Sequence, residues 1–283
     1  MQFSAEVAAA PAEIHPTAVV EAGAQLGAGV RIGPFCHVGP DVVLGDNVQL
    51  LSHVSVTGAT SIGEGTRVYP QAALGGPPQN IRHKGGRTTL TIGRNCVIRE
   101  AVTAHVGSDS SRGATEIGDD CMLMAYTHVA HDCIVGNNVT FANGATLAGH
   151  VEVGDGVIFG GLSAVHQFVR IGHHAFVGGA TGVERDLIPY GMVIGNRGSL
   201  RGFNIVGLKR SGATRSELHT LRSAYRMLFD RAQPLVENIR ATRDAFGGDP
   251  RVADILDFMD QPGKRLFVVP PVGAALPDDE AAE

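Results

Sequence analysis

The 283-residue chain contains no tryptophan, and its aromatic share is only 5%. A core of large interlocking rings is therefore excluded, and the interior must be filled by small and aliphatic side chains. Only four cysteines are present, too few for a disulfide scaffold. No run of about 18 apolar residues occurs, so no helix is expected to span a membrane. Residues 1–11 lack the basic start and long apolar core of a secretory leader, which makes the cytoplasm the expected location. A net charge of -5 argues against generic nucleic-acid binding, which needs a basic surface.

What the chain has in quantity is glycine, 38 residues of it, and a count in sixes. Apolar residues fall at Ile14, Val20, Leu26, Ile32, Val38, Leu44, Leu50, Val56, Ile62, Val68 and Leu74. A second run holds the period from Ile117 through Leu123, Val129, Val135, Phe141, Leu147, Val153, Phe159, Val165, Ile171 and Val177 to Val183. Neither a helix, with period 3.6, nor a plain strand, with period 2, produces this spacing. It is the signature of a hexapeptide-repeat parallel β-helix, in which each hexad makes a short strand and a corner and three hexads close a triangular coil. Four positions after each marked residue sits a small or branched one, and Cys36, Cys96, Cys121 and Cys133 all occupy that place. They read as interior filler, not as disulfide partners or metal ligands.

The count breaks twice. Gly75 to Arg87 interrupts it with glycine, proline and cationic side chains, and a coil can absorb extra residues only by looping them out at a corner. This insertion reads as a mobile arm that contacts something anionic. The second break, Gly107 to Glu116, is rich in serine and glycine and reads as poor in chemistry. About nine coils at strand spacing give a prism on the order of 45 Å long, whose flat faces suit a threefold homo-oligomer with sites between neighbours. Residues 1–194 are therefore expected to form the β-helix, with loop insertions near 75–91 and 107–116. Residues 195–283 form a small helical domain: Gly195 to Ser211 reads as irregular. Helices follow from about Ser216, from Pro234 to about Phe246 and from Val252 to Met259, then a tail frays from Pro262.

Six of the twelve histidines lie between His128 and His174, and none of those that the phase locates occupies an interior position. Eighteen-residue coils put His131, Gly149 and Gln167 in one column, and Asp132, His150 and Phe168 in the next. A base beside a backbone N–H unobstructed by a side chain is the minimum apparatus for acyl transfer, with the base activating an acceptor and the N–H holding the oxyanion. Asp132 is placed to fix the imidazole tautomer. Two other readings stay open on spacing alone. His128-x-x-His131 with His150 or His166 can supply three imidazoles to zinc, as in a metal-dependent enzyme of the γ-carbonic-anhydrase type, and the cluster can be merely solvated or structural.

At these residues the sequence resembles the UDP-N-acetylglucosamine acyltransferases that begin lipid A synthesis. The segments that carry the resemblance are His15-Pro16-Thr17-Ala18, Ile32-Gly33-Pro34-Phe35-Cys36, His128-Val129-Ala130-His131-Asp132-Cys133 and Ala145-Thr146-Leu147-Ala148-Gly149-His150. Ala164-Val165-His166-Gln167-Phe168 and Asn204-Ile205-Val206-Gly207-Leu208-Lys209-Arg210 complete the set. The likeness runs from about residue 13 to 260, and Gly207-Leu208-Lys209-Arg210 favours this family over the second lipid A acyltransferase, which shares the coil. The resemblance implies a left-handed coil, a hand rare among parallel crossovers, and a homotrimer. It implies transfer of a 3-hydroxyacyl chain from acyl carrier protein to the 3-position of UDP-N-acetylglucosamine, with no metal or other cofactor.

By the same resemblance His131 is the general base, Asp132 its orienting partner and Gly149 the oxyanion donor. Gln79, Asn80, Arg82, His128, His150, His166 and Gln167 match positions that contact the sugar nucleotide or acyl group. Asn204 and Arg210 match those that hold the uridine diphosphate, and Gly179 matches the floor of the acyl groove. The sequence departs from the family pattern in the arm, where Asn80 replaces an aspartate and Arg82 a lysine, and at Arg197 and Ser211. The lost carboxylate at Asn80 keeps open a 3-amino analogue of the sugar nucleotide as the acceptor, with an amide as product.

Overall fold

The computed structural model describes residues 10–273, and the architecture is a left-handed parallel β-helix of hexapeptide repeats followed by four helices. Residues 1–9 and 274–283, which include most of the N-terminal lead-in and the end of the tail, lie outside the described residues. Among those described, no helix is long and apolar enough to cross a membrane. The chain divides into two compact units, Met1–Asn138 and Val139–Glu283.

In the first unit each two-residue strand pairs in parallel with its equivalent one coil on: Ile14 with Ile32, Ile32 with Leu50, Leu50 with Val68. The count in sixes is thus a count of interior side chains. Val38, Val56 and Val68 are fully buried, as are the intervening small residues Val30, Val42 and Val48. All four cysteines are buried in that second interior column. Where the period breaks the register is kept: Val68 pairs with Ile98, and Ile98 with Leu123, so both insertions leave the coil without disturbing it.

The corners demand left-handed backbone once per turn, and the chain meets that demand with more than glycine and asparagine. Asn47, Asn95 and Asn138 adopt φ of 57°, 55° and 56°, but so do Phe35 at 58° and His53 at 52°. Such a conformation costs an ordinary residue roughly 1–2 kcal/mol, which the flanking ladder hydrogen bonds offset.

The second unit continues the same pattern by itself. Phe141 pairs with Phe159, their rings stacked 4.6 Å apart, and Phe159 with Val177. Gly191–Ile194 then pairs in parallel with Phe176–Val177 and is covered by an antiparallel strand, Ser199–Phe203. The segment after Gly195, irregular by sequence, is therefore partly sheet: Gly195 turns at φ 116° and Leu200 and Phe203 carry the buried face.

Four helices follow: α1 (Ile205–Arg210), α2 (Arg215–Leu228), α3 (Leu235–Phe246) and α4 (Pro250–Asp260). Thr214 caps α2 in a capping box with Glu217, two residues before the expected start at Ser216 and with a stronger chemical reason. Its buried stripe is Leu218, Leu221, Ala224, Tyr225 and Leu228, while Met227 is only half-buried. Asp249 caps α4, with Pro250 at its first position, as suits a residue without an N–H.

The tail differs from its sequence reading. Instead of fraying from Pro262 it is tied down through Val269: Asp186 N–H donates to Leu266 O, Val268 N–H to Asp186 O and Leu200 N–H to Val269 O. Backbone pairing of this kind leaves no pattern in side chains, so it was not legible.

Candidate active site

Three consecutive turns of the first unit meet one corner. The chain passes it between Ala73–Gly76 and Thr89–Ile92, between Thr103–His105 and Ala114–Ile117, and between His128–Val129 and Ile134–Val135. The first two passages are the insertions, and the third is the tight turn His131-Asp132. Each insertion departs through a glycine that no other residue can replace. A Cβ on Gly75, itself at φ 78°, would overlap the Thr57 carbonyl oxygen, and one on Gly107 would overlap Ala114 N.

Asp132 sits at φ 61°, and its backbone N–H donates to Thr115 Oγ1 at 2.9 Å. Its carboxylate accepts from Ser108 N–H at 3.1 Å to both oxygens and from Gly113 N–H to Oδ1 at 2.9 Å. Oδ2 lies 2.7 Å from His131 Nδ1. Backbone donors thus hold the carboxylate still, with the imidazole against its Oδ2. With Nδ1–H donating to the carboxylate, the basic lone pair is on Nε2. His131 and Asp132 are 5% and 3% exposed: they avoid the prism interior, as their phase requires, but are buried beneath the second insertion. That insertion was read as poor in chemistry; it supplies two of the carboxylate's donors through its backbone, which no side-chain motif announces.

Two further imidazoles stand close by. His128 Nδ1 shares a 2.7 Å hydrogen bond with Thr103 Oγ1, and its ring meets that of His105 edge-on at 5.1 Å. Burial, reinforced by His105 and His131, pushes the His128 pKa down to about 4. His105 is lowered too, by burial and then by His131, so both are neutral at pH 7. His105 was missed by sequence reasoning because it lies outside the dense histidine run.

The arm is tethered to the second insertion. Asp109 from the second insertion accepts from Lys84 N–H at 3.0 Å and Gly86 N–H at 2.8 Å and pairs with His83 Nδ1 at 3.2 Å. Those contacts, the Gly86 N–H foremost, hold the Asp109 carboxyl below its usual range. Asn80 is committed at both ends: Oδ1 accepts from Arg82 N–H at 3.0 Å, and Nδ2 donates to Ser108 Oγ at 3.1 Å. Gln79 and Arg82 are exposed on the same arm, which borders an open cleft of about 580 Å³ that includes His83, Arg87 and Asp41. Both breaks in the count follow the second hexad of a coil, and that shared phase was the available signal that the two insertions meet.

In the second unit the corresponding corner carries Gly149, His150, Gln167 and Phe168. The His150 ring stacks on Phe168 at 4.4 Å and 9°, both residues being left-handed at φ 63° and 64°. Lys264 Nζ stands 4.1 Å over the outer ring. Arg265 donates to His166 Nδ1 at 2.7 Å and to Gln167 O at 3.0 Å, which assigns the His166 proton to Nε2. Lys264 and Arg265 were not anticipated, since their segment was read as frayed. Gly149 is buried in its turn and Gly179 is exposed in another; a Cβ on Gly179 would make only an ordinary 3.4 Å contact with Gly161 O. Asn204 caps α1, accepting from Gly207 N–H at 3.0 Å and donating to His174 O at 3.1 Å. Arg210 is exposed in the last turn of that helix.

Comparison with known proteins gives a consistent picture. A family model described as UDP-N-acetylglucosamine O-acyltransferase, domain 2, matches residues 186–267. A bacterial transferase hexapeptide model of six repeats matches residues 23–58 and 114–149. An acyl-[acyl-carrier-protein]–UDP-N-acetylglucosamine O-acyltransferase from Bartonella henselae is 52% identical over 91% of this chain and 94% of its own length. One from Brucella ovis is 53% identical over 93% and 94%. The solved UDP-N-acetylglucosamine acyltransferase of Francisella novicida superposes with a TM-score of 0.88 at 34% identity, covering 92% of this chain and 95% of that one.

Proposed function

Because this chain belongs to the acyl-[acyl-carrier-protein]–UDP-N-acetylglucosamine O-acyltransferase family, we propose that it transfers a 3-hydroxyacyl group from acyl carrier protein to the 3-hydroxyl of UDP-N-acetylglucosamine, the first step of lipid A synthesis. The observation that carries the assignment of roles is the buried His131–Asp132 pair at 2.7 Å. Family membership favours acyl transfer over the metal-dependent reading of the histidine cluster. His131 Nε2 takes the proton of the sugar hydroxyl as its oxygen attacks the thioester carbonyl. The Gly149 N–H, at the equivalent corner one coil further in the repeat count, stabilises the tetrahedral oxyanion. Collapse of that intermediate expels the carrier thiolate, which recovers the proton from the imidazolium, and Asp132 stabilises the cation in between. No step needs a metal.

Other residues bind and orient in this proposal. Gln79, Asn80 and Arg82 on the arm, with His128, His150, His166 and Gln167, contact the sugar nucleotide or the acyl group. Asn204 and Arg210 hold the uridine diphosphate, the planar guanidinium suiting a diphosphate, and Gly179 floors the acyl groove. The functional assembly is a homotrimer with sites between neighbours, in the cytoplasm, and the helical domain begins near residue 195.

A competition assay tests the reaction and its acceptor together. Purified protein receives 3-hydroxyacyl-acyl carrier protein with equal UDP-N-acetylglucosamine and its 3-amino analogue, and products are read by mass. The ester is expected. An amide would mean that Asn80, which offers the acceptor no carboxylate, marks a nitrogen-selective enzyme, and no product from either acceptor would overturn the assignment.

A further inference from the structure

The geometry assigns Ser108 as a positioning residue that links the acceptor arm to the catalytic pair. This rests on the reading of His131 as base and of the arm as part of the acceptor site.

Ser108 is fully buried and commits its backbone and its side chain in different directions. Its N–H donates to Asp132, at 3.1 Å to each oxygen. Its hydroxyl accepts from Asn80 Nδ2 at 3.1 Å and shares a 2.9 Å bond with Ser110 Oγ. Its carbonyl accepts from Ser111 N–H at 3.0 Å, closing the turn that fixes both other groups. A continuous chain of hydrogen bonds therefore runs from the arm to the pair: Arg82 N–H donates to Asn80 Oδ1, Asn80 Nδ2 to Ser108 Oγ and Ser108 N–H to Asp132, whose Oδ2 accepts from His131 Nδ1–H. One residue in the second insertion stands between the loop that meets the acceptor and the carboxylate that sets the tautomer of the base.

The link is selective about chemistry. An amide at residue 80 donates to Ser108 and leaves the serine proton for Ser110; a carboxylate there would require the serine to turn its proton toward the arm. Coupling of this kind is reciprocal: whatever tightens the arm on Ser108 also steadies Asp132, and loosening Asp132 loosens the arm.

The test joins kinetics with amide hydrogen exchange on the full-length protein. Ser108→Ala should raise the KM for the sugar nucleotide about fivefold while leaving kcat within about twofold, and Asn80→Ala, which also loses its own contact with the acceptor, should raise that KM further. Because both break the Asn80–Ser108 bond, the double variant should be no worse than Asn80→Ala alone, and Ser108→Thr should keep wild-type values. Exchange across residues 79–87 should rise about tenfold in Ser108→Ala, and also in Asp132→Ala, which removes the acceptor of the Ser108 N–H. Unchanged exchange in both variants, or single effects that multiply in the double variant, would overturn the link. If Ser108→Ala does not fold, Asn80→Ala reads the same bond through exchange across residues 107–113. A wild-type protein inactive toward the sugar nucleotide would fault the acyl-transfer reading, while the exchange measurements would still decide the link.

Discussion

Asp132 holds His131 from the next position in the chain, and it does so only because its backbone is left-handed. At φ 61° its side chain turns back over the corner, placing Oδ2 2.7 Å from His131 Nδ1 while Oδ1 faces the N–H groups of Ser108 and Gly113. Adjacent residues on an extended strand point to opposite faces and cannot form such a pair. The corner supplies the geometry, and the second insertion supplies the counter-donors that keep the carboxylate from swinging away.

That arrangement makes Asp132→Asn as informative as His131→Ala. Removing the imidazole should cost at least about two orders of magnitude in turnover, as loss of a general base does. The asparagine keeps the shape, but if its oxygen faces the Ser108 and Gly113 N–H groups its NH2 faces His131 Nδ1. The imidazole must then accept at Nδ1 and carry its proton on Nε2, where it cannot serve as base. Turnover should fall by about two orders of magnitude or more with KM for the sugar nucleotide much less affected, as measured by steady-state assay with product detection. Wild-type turnover in Asp132→Asn would remove Asp132 from the mechanism.

How much of this was legible follows from the kind of interaction involved. The interior columns are written in side-chain type every sixth residue, so Val38, Val56 and Val68 could be placed without coordinates, and the phase that excluded His131 from the interior held. Its burial was not readable, because the cover comes from backbone N–H groups of Ser108 and Gly113, which any residue but proline provides. The same blindness made the second insertion look inert and the tail look frayed. The tether of the arm was not readable because Asp109 lies in the other insertion, and contacts between two loops carry no period.

The His128 imidazole sets an acid limit on stability. Its pKa is pushed down to about 4 in the folded protein by burial, with His105 and His131 adding to the effect, while the unfolded chain titrates near 6.5. Between those values the unfolded state binds the extra proton, so stability is intact above about pH 6.5 and declines as pH falls toward 4. His105, shifted the same way, steepens the decline. Denaturant melts at pH 7.5 and pH 5 should show the protein weaker at pH 5, and His128→Gln should reduce that difference. A His128→Gln protein as acid-sensitive as the parent would exclude this imidazole as the source.

Gly179 offers a test of chain-length selection with little folding cost. A Cβ there meets only Gly161 O at 3.4 Å, and the residue has an ordinary φ, so Gly179→Met should fold normally. If the position floors the acyl groove, the added side chain fills its far end and shifts preference to shorter acyl chains, read as the ratio of kcat/KM for a short and a long acyl-carrier donor. An unchanged ratio would take Gly179 out of the groove.

The last prediction concerns how Lys264 and Arg265 are kept in place. Arg170 and Asp186 form a buried pair, with Arg170 Nε on Asp186 Oδ2 at 2.7 Å and Arg170 N–H on Oδ1 at 2.9 Å. The guanidinium lies 4.6 Å over Phe258 of α4, and the Asp186 backbone carries the tail through Leu266 and Val268. Burial pushes the Asp186 carboxyl up even against its partner, so the pair is costly to bury and costlier to break. Asp186→Ala strands a guanidinium and should lose about 3–5 kcal/mol, seen as a large drop in melting temperature. Arg170→Met with Asp186→Leu removes both charges and should recover much of that loss. Gly263→Ala makes a milder version of the same injury, since its Cβ would press within 2.7 Å of Arg170 Nη2 and Asp186 Oδ2. If the tail positions Lys264 and Arg265 against Phe168 and His166, Gly263→Ala should raise a KM while the melting temperature falls only a few degrees. A normal KM in that variant would show that the grip on His166 and Gln167 survives without the latch.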